Sequence, residues 1–274
     1  EPGGNLTGEG SVTVQGELDW SGGIIDGSGS VLAQGRLHLF GDATMTLGGT
    51  RELENFSTAL WEGAGKVQVG ADAMLSNRAG AVFEIAGAGV MAGPSEGGIG
   101  VFLNEGTLKK IGPETSSMGI RLEQTGRIEA AGGTLLILLQ EDFENAGTVS
   151  VMGGTLQVTG AGWFVNMGEI AVSYTGTFTL TGVGYVQRGG TLTVDGILHS
   201  NEDVEIAAGT LGGTGRIEAD VLNAGLVSPG TPPGDTGELT IDGDYTQSGG
   251  GRLAIDIAGI RAGYEYDVLN VTGF

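Results

Sequence analysis

An amide that returns at a nearly fixed interval constrains this chain more than any other feature. Asn104, Gln124, Asn145, Asn166 and Gln187 recur about every 21 residues, the kind of period that marks a stacked repeat. Each has a glycine two positions later: Gly106, Gly126, Gly147, Gly168 and Gly189. Two positions before each stands a large apolar or aromatic residue: Phe102, Leu122, Phe143, Phe164 and Tyr185. Four positions after the first four stand Leu108, Ile128, Val149 and Ile170. The stretch FENAGTVSVMGGTLQV, Phe143 to Val158, reads as a short strand, a glycine turn, a strand, a Gly-Gly turn and another strand. Val149 and Val151, like Leu156 and Val158, alternate with small or polar residues, so each strand has one apolar face.

One such rung cannot bury its apolar faces alone. Stacking sets every inward side chain over its like in the next coil, about 4.8 Å away, the ordinary inter-strand spacing. The expected fold is all-β, a single-stranded parallel β-helix (β-solenoid) of about 21 residues per rung. Amides repeated at one position are expected to bond along the stack as a structural ladder. Glycine is expected at the corners, where positive φ is cheap only without a Cβ.

The chain has 39% hydrophobic residues, enough for a long, thin core, with 56 Gly and 6 Pro among 274 residues. No helical periodicity is sustained, and no apolar run approaches the roughly 20 residues of a membrane span. The formal charge of −21, from 33 acidic and 12 basic residues, argues against nucleic acid, whose binders need a basic footprint. It fits a solvated acidic exterior with, at most, weak surface association of calcium; no cofactor is expected. Cysteine is absent, so neither a disulfide framework nor a Cys-ligated metal site is available. The chain begins at Glu1 with no initiator Met or signal-peptide pattern, as expected of a processed protein or a segment of a longer one.

Residues 1–226 read as β-helix rungs, less regular over the first fifty, with loop excursions expected near 86–100 (AGAGVMAGPSEGGIG) and 111–119 (IGPETSSMG). At Ser228 to Gly234, SPGTPPG, the pattern breaks into a turn or edge, because proline cannot donate to an interior ladder. Further rungs fill 227–274 after this Pro/Gly corner, in a continuous solenoid rather than across a linker.

The tail, Val227 to Gly273, carries a family resemblance. It passes from an SPG-x-x-PG turn (Ser228, Pro229, Gly230, Pro233, Gly234) to a G-x-Y-x-Q strand (Gly243, Tyr245, Gln247) and a YD-x-L-x-V-x-G strand (Tyr266, Asp267, Leu269, Val271, Gly273). This succession resembles β-helical passenger and adhesin segments of autotransporter-like large bacterial surface proteins. The resemblance implies a right-handed β-helix on a secreted or cell-surface protein, and it carries no catalytic residues.

β-Helices also house polysaccharide lyases and hydrolases, which need clustered carboxylates, often with a basic partner. This chain has no Asp-Asp pair, and His38 and His199 both lie in alternating strand runs, where structural roles are expected. The densest acidic spots are Glu141, Asp142 and Glu144, then Asp242 and Asp244, read as solvated edges before a calcium site. Trp20, Trp61 and Trp163 are the candidate glycan contacts, although each adjoins a glycine turn, which favours packing at a corner. The expected function is a non-catalytic structural and adhesive module, extracellular or on a bacterial surface, with glycans, surfaces or copies of itself as partners. The alternatives are a polysaccharide-active enzyme with its groove beside residues 86–100, or a self-assembling fibre unit.

Overall fold

The computed structural model describes residues 3–94, 98–230 and 235–273. It is built from short parallel strands in stacked coils, the β-solenoid expected from the repeat. The chain divides into two compact units, Glu1–Glu141 and Asp142–Phe274. In each unit a coil spends one strand in each of three sheets, and like positions pair from coil to coil.

In the first unit, Leu53, Leu75, Phe102 and Leu122 pair in one inward column of the second sheet, and Ala59, Phe83, Leu108 and Ile128 in one of the third. All but Leu122, which is nearly so, are closed to solvent. In the second unit, Phe143, Phe164 and Tyr185 form the corresponding aromatic column, buried, with ring centroids 4.8 and 5.9 Å apart. The period of two in each strand dictates this sorting: alternate side chains enter the core or leave it.

Coil length varies more than the sequence period suggests. Partners on neighbouring coils are Leu75 and Phe102 in one place, Val204 and Val221 in another, steps of 27 and 17 residues, and register survives because turns absorb the difference. The excursions expected near 86–100 and 111–119 are corrected here, since each holds a strand of the first sheet. Val90–Ala92 pairs with Lys66–Val69 and with Thr115–Gly119. The extra length falls after Ala92, before the next strand begins at Val101. VMA reads as loop in the sequence because it is short and walled by glycines.

The Pro/Gly corner lies partly within the described residues. Ser228 and Pro229 complete the strand Leu226–Pro229, which pairs with Thr210–Gly213; residues 231–234 lie outside the described residues. The following strand of that sheet, Arg252–Leu253, pairs only with Leu226 and Val227, so the proline stands where no ladder bond to it is needed.

Three of the glycines two positions after the amides are present for a different reason from the expected one. Gly106, Gly126 and Gly168 do not adopt positive φ. Instead, a Cβ on Gly126 would strike the carbonyl of Gly106 one coil below, and one on Gly106 would come within 2.9 Å of the Asn77 side-chain nitrogen. Close stacking over the amide, rather than backbone conformation, demands glycine there.

Candidate functional site

The repeated amides are buried and bonded along each unit. In the first, Asn55 Nδ2 donates to Asn77 Oδ1 at 2.9 Å, Asn77 to Asn104 at 2.8 Å, and Asn104 to Gln124 at 2.7 Å. In the second, Asn145 donates to Asn166 at 2.8 Å and Asn166 to Gln187 at 2.9 Å. Asn77 and Asn104 also donate to corner carbonyls, Thr107 O and Arg127 O, whereas Gln124 Nε2 and Asn145 Oδ1 are buried without a partner among the described residues. These residues hold the corners of the core and have no face to offer a ligand.

The Tyr-x-Gln spacing acquires a physical meaning beside the ladder. Tyr185 and Tyr245, each two residues before a glutamine on the same strand face, donate their hydroxyls to Gln187 and Gln247 at 2.6 and 2.9 Å. Burial pushes both phenols above their ordinary range. Asp267 is likewise structural: its buried carboxylate accepts from the backbone of Gly237 and of Asp256, each at 2.9 Å.

Two buried cations escaped sequence reasoning. Arg51 reaches back over two earlier coils and donates to the carbonyls of Gly8, Gly10 and Asp26. Lys110 occupies an inward column position between Ile85 and Ala130 and donates to Gly112 O at 2.8 Å; burial lowers its pKa against a weaker opposing pull from Glu114. Strand parity was the signal for Lys110, since it follows the inward Leu108 by two.

Of the acidic spots, Glu141, Asp142 and Asp242 have their carboxylates engaged by neighbours. Asp242 accepts from Thr272 and from Arg216, and the Thr272 hydroxyl first, with the guanidinium after it, holds the Asp242 carboxyl below its usual range. Asp142 accepts the backbone N–H of Trp163, and Asp244 N–H bonds to Asp220.

The three tryptophans part company. Trp20 and Trp61 follow the inward residues Leu18 and Ala59 by two, and they are buried, at 5% and 1% exposure. The Trp61 ring is therefore closed as a glycan contact, a correction of that expectation, while Trp20, equally turned inward, lines a cavity of about 270 Å³ with Asn5, Leu18 and Asp19. Trp163 precedes the inward Phe164 by one, so parity turns it outward, and it is 46% exposed. Its indole lies over Gly184 of the next coil, where a Cβ would come within 2.7 Å of the ring. Beside it opens a cavity of about 390 Å³, lined by Gly162, Gly182, Glu202, Asp203, Glu205 and Leu222 as well. The shelf combines a seated aromatic ring with three carboxylates and carries no basic side chain in its lining.

No protein-family model, curated protein or solved structure matches this chain. Function therefore rests on the site itself. Among the described residues, no helix is long and apolar enough to cross a membrane.

Proposed function

We propose that this chain is a structural and adhesive β-solenoid module of an exported bacterial surface protein, and that it holds saccharide at the Trp163 shelf without chemistry. The observation that carries the adhesive part is the outward indole seated on Gly184 beside an open, carboxylate-lined cavity. A pyranose ring presents C–H groups that pack on an aromatic face, while its hydroxyls donate to carboxylate oxygens, which only accept. The motif resemblance of the tail supports the exported-surface part.

Glycan-array binding followed by calorimetry on the full chain tests it. Binding of at least one polysaccharide is expected, and Trp163→Ala should reduce it at least tenfold while thermal unfolding stays unchanged. An absence of binding, or equal binding by the variant, would count against the shelf. The carboxylates Glu202, Asp203 and Glu205 also suit hydrolysis or elimination, so the same glycans are assayed for new reducing or unsaturated ends. Their appearance would replace the non-catalytic proposal with the enzymatic one.

A further inference from the structure

A second group of side chains, on the outer face of the first unit, has no part in the Trp163 proposal. Strands Leu18–Trp20, Leu37–Leu39 and Thr58–Trp61 are neighbours in the third sheet, and Asp19, His38 and Leu60 pair in one outward column. His38 Nδ1 stands 3.1 Å from Asp19 Oδ1, and its Nε2 stands 2.8 Å from Glu62 Oε1. The ring is stacked on Phe40, with centroids 4.5 Å apart and planes at 21°. One atom each from Glu17, Asp19 and His38 lie within 4.8 Å of one another.

The chemistry of the imidazole sets this group apart from an ordinary acidic patch. With its proton on Nε2 and donated to Glu62, the imidazole turns its Nδ1 lone pair toward Asp19 and Glu17, the form that would ligate an ion; the doubly protonated ring donates to Asp19 and Glu62 instead. A carboxylate holding the far nitrogen of a histidine is the arrangement that orients and strengthens a metal-ligating imidazole. Donors about 2.1 Å from a tetrahedral ion stand about 3.4 Å apart, so the Nδ1–Oδ1 distance already nearly fits. Glu17 is held instead by Arg36, at 2.9 Å, through a pair that is about half exposed at both ends and free to swing apart.

We propose that Glu17, Asp19 and His38 bind a divalent transition-metal ion of the zinc type, with Glu62 and Phe40 positioning the imidazole. A nitrogen ligand favours such an ion over calcium or magnesium, which take oxygen donors. Water completes the coordination sphere on the exposed side. Arg36 acts as the competitor that must leave Glu17 before the ion is fully held.

Calorimetric titration of the full chain with Zn²⁺, and in parallel with Ca²⁺, tests this. One saturable Zn²⁺ site is expected. His38→Gln should reduce affinity to background, and Glu62→Gln should weaken it roughly tenfold to a hundredfold, as loss of a metal site's outer partner does. Arg36→Gln should tighten it, which a merely structural ion pair would not do. His199→Gln, at the chain's other histidine, should change nothing. No Zn²⁺ uptake, equal uptake of Ca²⁺, or Zn²⁺ affinity indifferent to His38 would overturn the proposal. Asp19→Asn provides the same comparison if His38→Gln melts below the parent chain in metal-free buffer.

Discussion

Lys110 is the residue least suited to its place by chemistry and best suited by position. Its stem extends the inward column of Ile85, while its ammonium has Gly112 O as its hydrogen-bond partner. Burial lowers its pKa, so between that lowered value and the ordinary lysine value of about 10.4 the folded chain holds fewer protons than the unfolded one. Stability contributed through this group therefore rises with pH across that window and is level on either side. Lys110→Met should stabilise the chain by about 1–3 kcal/mol at neutral pH, the order of an incompletely compensated polar burial. The gain should shrink as pH rises through that window and level off above about 10.4, where the lysine of the unfolded chain also loses its proton. Denaturant midpoints at neutral pH and above that value measure it; an equal effect at both would show that desolvation of the ammonium is not the cause.

At the scale of the element, the amide column decides whether a corner holds. Asn77 accepts from Asn55 and donates to Asn104 and to Thr107 O, all within the first unit. Asn77→Ala leaves buried partners without a bond, at about 1–3 kcal/mol for each group left unsatisfied. Asn77→Asp should be worse at neutral pH, because a carboxylate cannot donate and brings charge into a dry corner, and the deficit should narrow in acid. Thermal midpoints of the three chains at two pH values check this, and coincident midpoints would contradict the ladder. Much of the column was legible in the sequence: the amides, the bulky residues two before them and the glycines two after them all fell into register. The reason for the glycines was not, because it lies in the coil below rather than in the local chain. The strand Val90–Ala92 was hidden by its three-residue length, and Arg51 by the fact that its partners, Gly8, Gly10 and Asp26, belong to other coils. The shelf was half legible: the tryptophans were marked, but sorting Trp163 from Trp20 and Trp61 needed strand parity, which their shared glycine turns obscured.

Across the whole molecule the outer faces carry the charge of −21. Several of its basic side chains sit beside acidic ones of neighbouring coils, as Arg78 does among Glu52, Glu54 and Glu105, and Lys109 beside Glu129. These exposed or half-exposed pairs contribute little individually, and the unbalanced carboxylates repel one another. Raising ionic strength shortens the Debye length from about 30 Å at 0.01 M to about 8 Å at 0.15 M, so salt should raise the thermal midpoint by several degrees. A midpoint that falls with sodium chloride over this range would mean that the ion pairs outweigh the repulsion. The unequal coil lengths carry a consequence of another kind, for inheritance. Between Leu75 and Phe102 the chain takes a 27-residue path where 21 serves elsewhere, and inward partners still meet. In a gene for such a chain, codons gained or lost at a corner change only the turn, and a duplicated coil arrives with neighbours already matched to it. A single codon inserted within a strand instead turns every following side chain of that strand inside out. Lineages of this molecule should differ at corners and in number of coils long before they differ in the parity of a strand.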